Sequence, residues 1–237
     1  MTEIEAGAGT AGSSPKVESG RVPLRVAVLI SGSGSNLQAL IDAQRAGRLS
    51  AEIAVVISNR SDAYGLERAR RALIPTQVLS HRGFPSREAY DAELAALLDR
   101  HAPGLVTLAG FMRILTPELV ARWQGRMLNI HPSLLPKYRG LHTHERALAA
   151  GEPIHGATVH FVTPELDDGP AIVQAQVPVH PDDDAERLAA RVLTQEHRIY
   201  PLAVRWIAEG RLALGDDGLA YLDDEPLAQP VVIDAEP

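Results

Sequence analysis

From Arg25 onward, short and almost wholly apolar runs alternate with longer amphipathic stretches, and few folds accept that rhythm. Arg25 to Ile30, Glu52 to Ser58, Leu105 to Ala109 and Arg126 to His131 have the length and composition of strands buried on both faces. The stretches between them read as helices. Asn36 to Arg45 sets Leu37, Leu40 and Ile41 at helical spacing, with Gly47 as the stop. Ser61 or Asp62 is expected to cap a helix running to Leu73, and Ser86 to cap one carrying Tyr90, Leu94, Leu97 and Leu98 before Pro103. Thr116 and Pro117 read as a cap with proline at the first helical position. Strands separated by such helices imply right-handed crossovers. The expected class is therefore α/β, with a doubly wound, mostly parallel sheet.

After Gly151 the texture changes. Thr158 to Val162 and Ala171 to Val179 read as two strands joined by the turn Pro164 to Pro170. Asp182 to Asp184 marks the start of a long helix expected to reach Gly210, perturbed at Pro201. Arg211 to Leu222 suggests a small hairpin turning at Asp217 and Gly218. No linker divides the chain, so 23–223 is expected to be a single domain with this C-terminal strand pair, long helix and hairpin. Residues 1–22, without periodicity, are expected to be a disordered N-terminal extension, and 224–237 a C-terminal tail.

Composition narrows the chemistry. There is no cysteine, which excludes disulfides, zinc ribbons and thiol nucleophiles. The formal net charge is −7, without a Lys/Arg cluster, so a nucleic-acid partner is not expected. No apolar run approaches the roughly 20 residues of a membrane helix, and the first residues lack the basic start and apolar stretch of a secretory signal.

Three constellations can carry chemistry. Ser31-Gly32-Ser33-Gly34-Ser35-Asn36 falls where the first strand becomes the first helix, and small residues there let backbone N–H groups approach an anion. It lacks the Gly-Lys-Ser/Thr ending of an ATP loop, and Leu37 replaces the third glycine of a dinucleotide fingerprint, so a phosphomonoester is the expected guest. Asn129 and His131, at i and i+2 on a strand, face one crevice, where an amide can hold an oxyanion while an imidazole moves a proton. The turn Glu165-Leu166-Asp167-Asp168-Gly169-Pro170 is an ordinary turn former, unless one carboxylate reaches His131 and supports its cation. His142-Thr143-His144-Glu145 lacks a third and fourth ligand at familiar spacing, so no metal is expected. Ser133 has no nucleophile-elbow glycines around it.

Val28 to Ala39, Leu108 to Leu115, the long stretch Asn129 to His144, His160 to Thr163 and Thr194 to His197 together resemble the folate-dependent phosphoribosylglycinamide formyltransferase family, over about Arg25 to Leu222. The resemblance implies a Rossmann-like formyltransferase fold. It also implies transfer of a formyl group from 10-formyltetrahydrofolate, as co-substrate, to the amine of glycinamide ribonucleotide in purine biosynthesis. The family's catalytic trio falls on Asn129, His131 and Asp167. Asp167 is chosen because it directly follows Glu-Leu; the next position is commonly small in the family, and Asp168 departs from that. The same matching gives Gly34, Ser35 and Asn36, with Leu193, Thr194, Gln195 and Glu196, as ribonucleotide contacts. Arg87, then Met112, Arg113, Ile114 and Leu115, fall on the folate side. Asn129 joins them there, with Thr163, Pro164, Glu165, Leu166 and Asp167.

Three rivals remain at this stage. A formyltetrahydrofolate hydrolase usually carries an extra N-terminal domain, for which the residues before the first strand are too few. The tRNA formyltransferase needs a further domain and a basic surface. A non-catalytic nucleotide-binding module would keep the phosphate loop without needing Asn129, His131 and Asp167 together. Missing signals and the metabolic role imply a cytoplasmic location, as a monomer or homodimer.

Overall fold

The computed structural model describes residues 22–234. The expected disordered extension therefore falls almost wholly outside the described residues. The first half alternates as the sequence requires: β1 (Leu24–Ile30), α1 (Ser35–Arg45), β2 (Ala51–Ser58), α2 (Tyr64–Arg71), β3 (Thr76–Val78), α3 (Arg87–His101), β4 (Leu105–Leu108), α4 (Pro117–Arg122) and β5 (Met127–His131). These strands lie parallel in the order β3-β2-β1-β4-β5. Successive residues of β1 feed opposite faces of the sheet. Val26, Val28 and Ile30 pack with Leu37 and Leu40 of α1, while Ala27 and Leu29 pack with Tyr90, Leu94 and Leu98 of α3. Two apolar layers, one on each face, are what a doubly wound sheet demands.

The second half begins with α5 (Thr143–Ala149), followed by β6 (Ile154–Phe161), β7 (Ala171–Pro178) and α6 (Ala185–Ala208). β6 runs antiparallel to both β5 and β7. Asp184 caps α6, its Oδ1 accepting from the Arg187 N–H at 2.8 Å. Pro201 lies inside the helix without ending it. Buried Tyr200 donates its hydroxyl to the carbonyls of Leu108 (2.9 Å) and Leu128 (3.2 Å), which seats α6 across β4 and β5. β8 (Leu212–Leu214) and β9 (Ala220–Leu222) form the hairpin, with Asp217 Oδ1 accepting from Leu219 N.

Local expectations differ from the structure in several places. Ala63, not Ser61 or Asp62, stands at the N-cap of α2, because Asp62 is bound to Arg60 and Gly65 N donates to Gly32 O at 3.0 Å. That helix ends at Arg71, and Leu73 lies at φ +60°. β6 starts at Ile154, four residues upstream of Thr158, where its pairing with β7 begins. The segment set apart as a tail contributes β10 (Glu225–Pro226), on the hairpin, and β11 (Val231–Asp234), an edge strand parallel to β7. Among the described residues the main sheet thus has eight strands.

Candidate active site

The order β2-β1-β4 reverses direction between β1 and β4, and ligands of open α/β sheets bind at the carboxyl ends beside such a switch. Gly34 stands at the N-cap of α1 with φ +69°, and a Cβ there would lie 2.6 Å from the Cα of Gly65. Only glycine fits both demands. No side chain caps α1, which leaves its first N–H groups to an outside acceptor. Buried Asn36 donates from Nδ2 to Glu196 Oε2 of α6 at 2.6 Å. Burial raises the Glu196 carboxyl above its ordinary range, with the Asn36 bond opposing the rise.

Ser31 ties this loop to the next one. Its hydroxyl donates to Asn59 Oδ1 at 2.6 Å and accepts from Met112 N at 2.8 Å, and its own N–H donates to Gly110 O at 3.1 Å. Beyond lies a cavity of about 630 Å³. Met112, Arg113, Ile114 and Leu115 line one wall, and Thr163, Pro164, Glu165, Leu166 and Asp167 line another. Met112, Ile114, Leu141 and Leu166 are exposed large apolar side chains gathered on this one cavity. Such gathering marks a ligand site more than scattered surface residues do.

At the β5 side of the cavity, His131 faces an oxygen from each ring nitrogen. Nε2 meets the Tyr138 carbonyl at 3.0 Å, and Nδ1 meets Asp167 Oδ2 at 3.4 Å. Asn129 Nδ2 donates to Asp167 Oδ1 at 3.4 Å and lies 3.1 Å from His160 Nε2. Burial pushes the His160 imidazole down to about 4, and Nδ1–H donates to the Phe161 carbonyl at 2.9 Å. Nε2 of that neutral ring is left as an acceptor, which orients the amide of Asn129. Gly140 N donates to Asp167 Oδ2 at 2.9 Å. The carboxylate thus touches β5 and the loop beyond it, with its side chain only 8% exposed.

The sequence-derived residues do not all meet. Gly34, Ser35 and Asn36 adjoin Glu196, but Thr194 is exposed with its hydroxyl on the Ala190 carbonyl, and Gln195 accepts from Arg198. Leu193 is half-buried on the same helix. Arg87 does not line the cavity; it opens α3, with Nε 3.9 Å from Glu88. His142 and His144 diverge, toward Glu145 and His155 respectively. Among the described residues, no three His, Asp or Glu side chains gather as a metal site. Sequence reasoning missed the role of His160. Its cross-strand pairing with Asn129 was the available signal, and it depends on a register that the chain order does not reveal.

Residues 24–204 match the formyl transferase family. The phosphoribosylglycinamide formyltransferase of Escherichia coli K12 is 55% identical over 204 residues, covering 86% of this chain and 96% of that protein. The human trifunctional purine biosynthetic protein adenosine-3 is 48% identical over 194 residues, covering 82% of this chain but 19% of the human protein. Among solved structures, phosphoribosylglycinamide formyltransferase from Coxiella burnetii, in complex with CHES, superposes with a TM-score of 0.86 at 52% identity, covering 90% of this chain and all of that one. The matched region runs from β1 into α6 and includes the switch point, Asn129, His131 and Asp167, so the chain belongs to the formyl transferase family.

Proposed function

We propose that this protein transfers the formyl group of 10-formyltetrahydrofolate to the amine of glycinamide ribonucleotide, giving formylglycinamide ribonucleotide and tetrahydrofolate in de novo purine biosynthesis. The observation that carries the reading is the convergence of Asn129, His131 and Asp167 on a cavity that Ser31 links to an uncapped helix N-terminus. One end suits a phosphate and the other an apolar, planar co-substrate. The near full-length relative from Escherichia coli, named phosphoribosylglycinamide formyltransferase, supports the choice of acceptor and of the group transferred.

In this reading Gly34, Ser35 and Asn36 hold the phosphate and ribose, with Glu196 as the ribose partner. The folate fits the large cavity, whose size lies within the roughly 300–1,000 Å³ of small-molecule sites. Met112, Ile114 and Leu115 flank its ring, and Thr163 to Asp167 close over it. Arg87, outside the cavity, would serve only an extended part of the molecule.

The substrate amine attacks the formyl carbon directly, so a C–N bond forms and the formyl oxygen gains charge. The Asn129 N–H directed at Asp167 sits at 3.4 Å, long for a hydrogen bond and therefore easily exchanged. Asn129 turns its N–H to the oxyanion and the positive charge of protonated His131 stabilises it, while Asp167 supports the imidazolium. The proton lost by the amine nitrogen ends on the departing folate nitrogen, carried past Asp167 and His131. The reading places the protein in the cytoplasm, as a monomer or homodimer.

A coupled assay tests it: tetrahydrofolate formation from 10-formyltetrahydrofolate, with and without glycinamide ribonucleotide, in wild type and His131→Ala. Strict dependence on the ribonucleotide and a loss of at least about 10²-fold in the variant are expected. Turnover without acceptor would favour the hydrolase, and none in either case the binding module.

A further inference from the structure

The loop 132–142 that joins β5 to α5 is anchored in its first part and exposed in its second. Ser133 and Leu135 are buried against Thr158: Leu135 N donates to Thr158 Oγ1 at 3.0 Å, and Thr158 Oγ1 donates to the Ser133 carbonyl at 2.6 Å. From Arg139 onward Leu141 and His142 are exposed, and Arg146 reaches the carbonyls of Arg139 and Leu141. Facing this stretch is the turn that carries Asp167, where Pro164, Glu165 and Leu166 are all exposed. Asp167 itself sits at φ +50°, a conformation that costs a non-glycine residue energy and needs an outside hold.

Two adjacent contacts join the segments. Gly140 N donates to Asp167 Oδ2, and the Arg139 guanidinium pairs with Asp168 Oδ1. Consecutive carboxylates point opposite ways: the Asp167 side chain inward at 8% exposure, the Asp168 side chain outward at 42%. The bonds from Gly140 and Asn129 and the His131 contact all end on the Asp167 carboxylate, whereas the Arg139 pair holds the neighbouring residue and gives the turn a second anchor point. We propose that the Arg139–Asp168 ion pair is a clasp that locks the Asp167 turn to the loop after β5, and so fixes the Asp167 carboxylate against His131 and Asn129. Arg139 and Asp168 are positioning residues, not catalytic ones, and their effect on turnover rests on the transfer reaction proposed above.

An exposed ion pair adds little to global stability, so its signature is local. In Asp168→Asn, the melting temperature should stay at the wild-type value. Amide exchange at Gly140 and across Leu166 to Gly169 should quicken by about fivefold, the scale of one such pair. kcat/KM for 10-formyltetrahydrofolate should fall by a similar factor, with the KM for glycinamide ribonucleotide unmoved. The charge swap Arg139→Asp with Asp168→Arg should restore most of both losses, which separates pairing from any individual role. Unchanged exchange in Asp168→Asn, or a swap no better than the single variants, overturns the clasp. The exchange measurement decides this even if the wild type transfers no formyl group, a result that would instead overturn the reaction proposed.

Discussion

The loop after β1 and the loops around β5 open at the same end of the sheet but are specified differently. The first is a matter of backbone. Gly34 at φ +69° presses on Gly65, Arg68 holds the Ser33 carbonyl at 2.8 Å, and Asn36 is 7% exposed against Glu196. The second is a matter of side chains brought from afar: Asn129 and His131 from β5, His160 from β6 and Asp167 from the turn beyond it. A phosphate needs a fixed row of N–H groups, which one continuous segment supplies. Charge that appears only in a transition state needs donors from several directions, and no single segment offers them.

The contrast is sharpest at Asn129. Replacing it with alanine removes the amide proposed to hold the oxyanion and leaves His160 Nε2 without its amide partner. Turnover should fall by about 10²–10³, or roughly 2.7–4 kcal/mol of barrier, as for other oxyanion holes. The KM for glycinamide ribonucleotide should barely change. Steady-state kinetics with each substrate varied would show this, and a loss below tenfold would remove Asn129 from the chemistry. Gly34→Ala should do the reverse. The added Cβ meets Gly65 at 2.6 Å in a left-handed conformation, a strain of about 1–3 kcal/mol. The ribonucleotide KM should rise on the order of tenfold, with the folate KM intact. Equal changes in both KM values would collapse the distinction between the two ends.

The same difference governs what the chain order revealed. Helix starts are local, so Ser86 and Thr116 were legible as caps and Asp182 to Asp184 as the start of the long helix; in the structure Ser86, Thr116 and Asp184 each accept a bond from the helix they start. Asn129 and His131 were legible because a strand alternates its faces. Ala63 was not, since a neutral cap is chosen by the packing of Gly65 on Gly34 rather than by its own side chain. β3, three residues long and partly exposed, carries too little apolar pattern to register. β11 carries its pattern but pairs with β7, more than fifty residues earlier. His160 and the Arg139–Asp168 pair depend on register and loop closure, which local rules do not reach. The family resemblance carried Asp167, where composition alone would have left a solvated turn.

Acid should separate the two ends by sign, with the smallest effect of the three. Beside the cavity, His155 is buried, its Nε2 lying 3.2 Å from Nδ1 of His144, with Glu152 and His131 as the other charged neighbours. Burial lowers His144 and pushes His155 down to about 4 from 6.5. A depressed folded-state value means that the unfolded chain binds the proton first. This stability is present above about pH 6.5 and is lost as the pH falls through about 4. Glu196 is raised, so its contribution is present at low pH and lost as the pH rises through its folded value. Chemical denaturation between pH 7 and 5 should therefore show a loss on the order of 1 kcal/mol from the imidazole pair, after solvent screening. His155→Gln should flatten that slope, and Glu196→Gln should steepen it, because it deletes a term that acid favours. Parallel slopes in wild type and both variants would mean that neither burial governs titration, and the two ends would then differ in geometry alone.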